Sequence, residues 1–223
     1  MKLAFTAVLM GFCLIALAQA RYDTIPNQPE HYRNQLSKFQ LENKSSANII
    51  FLGNSITEGG NWRAMLKDSS VLNRGISGDN TYGVLNRLEE VTRHKPAKLF
   101  LLIGINDLSK STPQATVLQN IFSIVGQVHA QSPKTQVYVH SLLPVNPGVK
   151  GFPPRFSKQG EISEINGQLK KYDEALKYTY VDIHAEFQDD RLNLDARFTK
   201  DGLHLNAAGY AHWMAYLKKQ KCL

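Results

Sequence analysis

The chain has 223 residues, 43% of them hydrophobic and 20% charged, which fits one folded domain with a sizeable core and excludes a disordered or low-complexity protein. The formal charge of +7 comes from basic residues scattered along the chain, apart from Lys218, Lys219 and Lys221 near its end. No nucleic-acid-binding motif accompanies them, and a solvated basic surface accounts for the charge.

Residues 1–20 have the make-up of a signal peptide. Lys2 supplies a short positive start, Leu3 to Leu17 is almost wholly apolar, and Ala18-Gln19-Ala20 is an A-x-A cleavage site. The apolar run falls short of the roughly 20 residues of a membrane span. The expectation is a secreted or periplasmic protein cleaved after Ala20, with no stable membrane insertion. Cleavage would remove Lys2 and Cys13, lower the formal charge by one and leave Cys222 as the remaining cysteine. No internal disulfide would then be possible, and the fold must rest on its core.

From there the chain alternates. Pro29 to Lys44 has helical spacing, with Tyr32, Leu36 and Phe39 on one side. Asn48 to Leu52 is a short, continuously apolar run, as a strand buried on both faces should be. Asn61 to Lys67 makes a helical turn or two and Val71 to Asn73 a brief strand. Tyr82 to Arg93 is predicted as one helix with Val84, Leu85, Leu88 and Val91 as its apolar stripe. Lys98 to Ile103 is the clearest buried strand, and Pro113 to Gln131 the longest helix, with Pro113 near its first turn. Gln136 to Ser141 is the fourth strand. Pro144 to Gly160, rich in proline and glycine, is a long loop. Glu161 to Leu176 is helical, Tyr178 to Ile183 is the fifth strand, and Asn206 to Lys219 closes the chain as a helix. Strands separated by helices imply βαβ units, a parallel sheet and helices on both faces. Such sheets bind ligands beyond the carboxyl ends of their strands.

The segments that follow the strands carry chemistry. After the first comes Gly53-Asn54-Ser55-Ile56-Thr57-Glu58-Gly59-Gly60. A serine there can present its hydroxyl at the sheet edge, but a neutral hydroxyl needs a base before it can attack. Thr57 breaks the G-x-S-x-G elbow, and Asp79 breaks it around Ser77, which counts against an α/β-hydrolase. After the second strand comes Asn73-Arg74-Gly75-Ile76-Ser77-Gly78-Asp79-Asn80-Thr81, whose glycines let backbone amides approach a ligand. After the third comes Gly104-Ile105-Asn106-Asp107, whose asparagine amide could donate to a developing oxyanion. Two aspartate–histidine pairs could serve as the acid–base partner: Asp201 with His204, three apart on a turn, and Asp182 with His184, two apart at a strand end. His31, His94, His129, His140 and His212 read as surface or packing residues. No H-E-x-x-H or cysteine cluster points to a metal, and no cofactor is expected.

Together and in this order, the four blocks around Ser55, Gly78, Asn106 and His204 resemble the SGNH hydrolase family, also called GDSL esterases and lipases, over about Asn48 to Tyr210. Within it, Asn-Arg-Gly-Ile-Ser-Gly-Asp-Asn-Thr and Leu-Leu-Pro-Val look like the platelet-activating-factor acetylhydrolase catalytic subunits and related bacterial acetylesterases. The resemblance implies a flavodoxin-like three-layer α/β/α sandwich with five parallel strands. It makes Ser55 the nucleophile, His204 the general base and then acid, and Asp201 the residue that orients it. The backbone amides of Ser55 and Gly78 and the Asn106 side chain would form the oxyanion hole. One departure stands out: the family usually has Gly-Asp-Ser, and here Asn54 replaces the aspartate, keeping an acceptor oxygen and losing a charge.

The expected organisation is a signal peptide over 1–20, an N-terminal helical extension over 21–47 and the hydrolase domain over 48–223. The expected activity is hydrolysis of short-chain acyl esters, acetyl above all, on a small-molecule or carbohydrate alcohol. A lysophospholipase or thioesterase acting on longer chains is the alternative enzyme, and a carbohydrate-binding pseudoenzyme the alternative of another class. The loop Pro144 to Gly160 is expected to border the site, with Phe152 and Phe156 as apolar walls and Arg155 meeting an anionic group on the alcohol.

Overall fold

The computed structural model describes residues 29–42 and 48–223. The expected signal peptide, and the parts of the extension before and after its helix, lie outside these. The described elements are α1 (Glu30–Leu41), β1 (Ile49–Gly53), α2 (Ser55–Glu58), α3 (Trp62–Leu66), β2 (Val71–Gly75), α4 (Thr81–Asn86), α5 (Leu88–Thr92), β3 (Lys98–Leu102), α6 (Ile105–Ser109), α7 (Gln114–Gln131), β4 (Gln136–His140), a 3-10 turn (Pro154–Phe156), α8 (Gln159–Lys171), α9 (Asp173–Leu176), β5 (Thr179–Val181), α10 (Ile183–Glu186) and α11 (Ala207–Lys219).

All neighbouring strands pair in parallel, in the order β2-β1-β3-β4-β5. This is the flavodoxin-like doubly wound α/β sheet. Its topological switch point lies between β1 and β3, and crevices at such points are where these sheets take ligands. The register sets Phe51, Phe100 and Tyr138 side by side across β1, β3 and β4. Their rings stack at centroid distances of 4.8 and 4.7 Å. Trp62 of α3 stacks on Phe51 at 4.0 Å and meets Trp213 of α11 edge-on at 5.0 Å. One sheet face is therefore an aromatic layer under α3 and α11. Alternate residues of the same strands, among them Ile50, Leu52, Leu99, Leu101, Val137 and Val139, are buried as well. Helices α4, α5, α8 and α9 each pack against α7.

His140 belongs to this aromatic layer, as expected of a packing histidine. The Trp213 indole donates to its Nε2 at 3.3 Å, and complete burial pushes its pKa down to about 3.

Some boundaries differ from the sequence reading, each for a local reason. The helix expected over Tyr82 to Arg93 breaks at Arg87 (φ −118°, ψ 11°), whose side chain is turned into the core. The helix expected over Glu161 to Leu176 breaks at Tyr172. The fifth strand stops at Val181, because Asp182 caps α10 by accepting from the Ala185 amide at 3.2 Å. Helices α2, α6 and α10 are too short to show a period in sequence. Among the described residues, no helix is long and apolar enough to cross a membrane.

Candidate active site

Residues from the ends of three strands and from the loop before α11 converge at the switch point. Asn54 sits between β1 and α2, and its side-chain oxygen accepts from the Ile56 amide at 3.0 Å. That cap starts α2 at Ser55 and leaves the Ser55 hydroxyl at the helix's first position, half-buried. Ser55 Oγ lies 3.0 Å from His204 Nε2, across 149 residues of sequence. His204 Nδ1 lies 2.7 Å from Asp201 Oδ2. A carboxylate can only accept, so Nδ1 carries the imidazole proton and Nε2 is left to accept from the serine hydroxyl.

The turn that holds this pair is tightly determined. Asp201 Oδ1 accepts from the amides of Leu203 and His204 at 3.0 and 2.7 Å. Thr199 Oγ1 accepts from the Gly202 amide at 2.8 Å and donates to the His204 carbonyl at 2.7 Å. Partial burial pushes the Asp201 carboxyl up, but the His204 amide and ring and the Leu203 amide outweigh it and hold it below the usual carboxylate value. Gly202 has φ +83°, and a Cβ on it would lie 2.2 Å from the Asn146 carbonyl oxygen and 3.0 Å from Phe152 Cδ2. Gly202→Ala is thus expected to cost about 1–3 kcal/mol of stability from backbone strain alone and to lower turnover by moving His204. Urea unfolding and kinetics of the variant check this, and unchanged stability would show that the turn relaxes freely.

In the loop after β2, Gly78 has φ +82° with open space where a Cβ would be. Among the described hydrogen bonds, neither the Ser55 nor the Gly78 amide donates to a protein acceptor. Asn106 is buried at the start of α6, and its Nδ2 donates to the Asp79 carbonyl at 2.7 Å. Only one of its two N–H bonds is used in this way.

Behind these donors lies a buried polar frame that sequence reasoning missed. Asp79 and Arg87 form an ion pair at 2.9 Å with neither side chain exposed. Arg87 Nη2 also donates to the carbonyls of Gly53 and Arg74, at the ends of β1 and β2, at 3.1 and 2.9 Å. Asp107 accepts from the Thr81 hydroxyl at 2.6 Å and from its amide at 3.0 Å, joining the β3 and β2 loops. A signal was available: Arg87 lies three residues after Val84 and four before Val91, at the edge of an apolar stripe, where a charge needs a buried partner.

The competing pair is not brought together. Asp182 caps α10, while His184 Nδ1 faces the Leu142 carbonyl at 2.9 Å and its Nε2 meets Gln188 at 3.1 Å. The loop after β4 does reach the site. The Asn146 amide donates to the Gly202 carbonyl at 2.8 Å, and Phe152 lies against Gly202. Phe156 is buried in the core, and its 3-10 turn packs on α6. Arg155 is exposed with its guanidinium 4.9 Å from the Phe156 ring centroid. No cluster of metal-ligating side chains occurs among the described residues.

Comparison with known proteins gives the family of the chain. The model of the GDSL-like Lipase/Acylhydrolase family matches residues 51–212. Platelet-activating factor acetylhydrolase IB subunit alpha1 of Rattus norvegicus is 30% identical over 169 residues, 73% of this chain and 69% of that protein. Subunit alpha2 of the same organism is 26% identical over 190 residues, 82% of this chain and 80% of that protein. A GDSL-like lipase from Bacteroides thetaiotaomicron superposes with a TM-score of 0.73 at 26% identity, covering 86% of this chain and 98% of that one.

Proposed function

Because the chain belongs to the GDSL-like lipase/acylhydrolase family and is an ester hydrolase, we propose that it cleaves short-chain acyl esters, acetyl above all, through Ser55, His204 and Asp201. The observation that carries this reading is the unbroken chain Ser55 Oγ–His204 Nε2, His204 Nδ1–Asp201 Oδ2, at 3.0 and 2.7 Å.

In the first step Ser55 Oγ attacks the acyl carbonyl carbon and passes its proton to His204 Nε2. The resulting imidazolium is stabilised by the Asp201 carboxylate. The carbonyl oxygen, now negative, takes hydrogen bonds from the Ser55 and Gly78 amides and the Asn106 side chain. The tetrahedral adduct collapses, the C–O bond to the alcohol breaks, and the alcohol leaves with the proton from His204. In the second step His204 takes a proton from water, which attacks the acyl-serine. Collapse of that adduct returns the proton to Ser55 Oγ and frees the acid.

A short acyl group is supported by the similarity to the platelet-activating factor acetylhydrolase subunits, whose names give acetyl as the group removed. One observation favours the longer-chain reading: an apolar groove of about 580 Å³ between α3 and α11, lined by Met65, Tyr210 and Met214 and reaching Gly59 just after α2. A p-nitrophenyl ester series from acetate to palmitate separates the two, and a rate that climbs with chain length would overturn the acetyl preference. The alcohol is proposed to be a carbohydrate hydroxyl on a substrate outside the cell, in keeping with the signal-peptide pattern of residues 1–20. Acetate release from acetylated sugars tests it. The pseudoenzyme reading makes the opposite prediction for a fluorophosphonate, which should label Ser55 if the site is active.

Asn106→Ala is expected to lower kcat by about 10²–10³ with little change in KM, because an oxyanion donor acts mainly in the transition state. Steady-state kinetics checks it. A normal kcat with raised KM would make Asn106 a substrate-binding residue instead.

A further inference from the structure

Glu58 ends the one-turn helix that begins with Ser55, yet its carboxylate serves other parts of the chain. One oxygen, Oε2, accepts from the Ser77 amide at 2.6 Å and from the Ser77 hydroxyl. The other, Oε1, accepts from Gln35 Nε2 at 2.5 Å and faces His31 Nε2 at 2.9 Å. A single carboxylate thus joins three segments: α2, the loop before Gly78, and α1. The side chain of Glu58 is only 20% exposed. Burial pushes its carboxyl up, but the bonds from Ser77 and Gln35 prevail and hold it below the usual carboxylate value.

Helix α1 is held on the domain independently of this contact. Tyr32 and Phe39 are buried against Ile76, the residue before Ser77. The Tyr32 hydroxyl donates to the Gly83 carbonyl at 2.9 Å, and Arg93 donates to the Phe39 carbonyl at 2.8 Å. Ser77 and Gly78 themselves are exposed, and Gly78 sits in a conformation that a glycine can readily leave. The turn is closed by the Asp79 amide donating to the Ile76 carbonyl at 3.1 Å, and among the described bonds the Glu58 carboxylate is what holds the exposed Ser77 amide that precedes Gly78.

We propose that Glu58 is a positioning residue for the esterase reaction: it ties the Ser77–Gly78 backbone to the serine helix, and α1, through Gln35 and His31, holds that carboxylate in place. Glu58 touches no reacting atom in this scheme. It sets the distance between two oxyanion donors, the amides of Ser55 and Gly78, by bonding the segment that carries each. The inference rests on the oxyanion hole proposed above.

The test compares Glu58→Ala, Glu58→Gln, Ser77→Ala and the double variant Gln35→Ala/His31→Ala on p-nitrophenyl acetate. Glu58→Ala should lose about 10- to 100-fold in kcat with KM nearly unchanged, since a misplaced donor is felt in the transition state. Affinity for a trifluoromethyl ketone, whose hemiketal oxyanion occupies the hole, should fall by the same factor. Glu58→Gln keeps an acceptor for Ser77 and should recover most of the loss. Ser77→Ala keeps the amide bond and should lose less than Glu58→Ala. The Gln35→Ala/His31→Ala pair should lose part of kcat with the active-serine fraction unchanged. Glu58→Ala with wild-type kcat and ketone affinity would overturn the proposal. So would a loss in KM alone, or ketone binding that holds while kcat falls. If Glu58→Ala does not fold, Glu58→Gln, Ser77→Ala and the α1 pair decide the matter. Failure of the underlying reading is seen separately, as turnover that survives Ser55→Ala.

Discussion

Alanine at Ser55 is expected to abolish ester turnover, with a loss on the order of 10⁵–10⁶ in kcat, and to leave the protein folded. The Ser55 hydroxyl bonds to His204 and to no other side chain among the described contacts, and the α2 cap depends on Asn54 rather than on Ser55. Its removal costs the fold little. His204→Ala should be nearly as damaging, because the hydroxyl then has no base. The double variant Ser55→Ala/His204→Ala should be scarcely worse than either single one, since residues that act as a unit are not additive. His184→Ala, in contrast, should keep most of the activity. The measurements are turnover of p-nitrophenyl acetate, fluorophosphonate labelling, and thermal unfolding to confirm that each variant is native. Full turnover by purified Ser55→Ala would end the assignment and make Ser77 the next candidate.

The second large effect falls on stability. Arg87→Leu is expected to destabilise the protein by about 3–5 kcal/mol, the usual result of breaking a buried ion pair by removing one partner. Burial pushes the Asp79 carboxyl up to about 6 against the pull of Arg87, so the guanidinium is what makes a charge tolerable there. The substitution also strips a donor from the Gly53 and Arg74 carbonyls. Activity should fall with stability, because the Asp79 carbonyl holds the Asn106 amide. The double variant Arg87→Leu/Asp79→Asn should recover part of the loss by removing the stranded charge, and the double-mutant cycle isolates the pair. Urea unfolding midpoints give the answer. A shift worth under about 1 kcal/mol would show that water reaches the site and that the pair is not structural.

The parts of this molecule legible in sequence were those written as runs. Ile49–Gly53 and Lys98–Leu102 are continuous apolar stretches, and the βα alternation around them implied the parallel sheet. The proposed reactive residues could be read because Ser55, Gly78 and Asn106 each follow a strand, because His204 stands before the last helix, and because the four blocks stood in one order. What could not be read are relations between side chains far apart in sequence. Asp182 with His184, two apart at a strand end, stayed open beside Asp201 with His204, three apart on a turn, until the family resemblance favoured the second pair. The placement of β5 at the sheet edge and the bonding of His184 to Leu142 and Gln188 set the two pairs apart in the structure. The Glu58 carboxylate lay hidden because its partners come from α1, which periodicity identified as a helix without saying where it docks. Arg87 was hidden by its own effect, since a helix expected to run through it is broken there.

The separation between Ser55 and His204 also has a consequence for how the chain becomes active. The contact spans 149 residues, and Tyr210 of α11 donates to the Ile56 carbonyl across 154. Contacts so distant in sequence carry a loop-closure cost that local pairings do not. A growing polypeptide can pair β1 with β2 and β3 long before it holds a base for its serine. The base of the proposed triad therefore arrives with the turn before α11: a refolding assay read by esterase activity should lag one read by the far-ultraviolet signal of the sheet and its early helices.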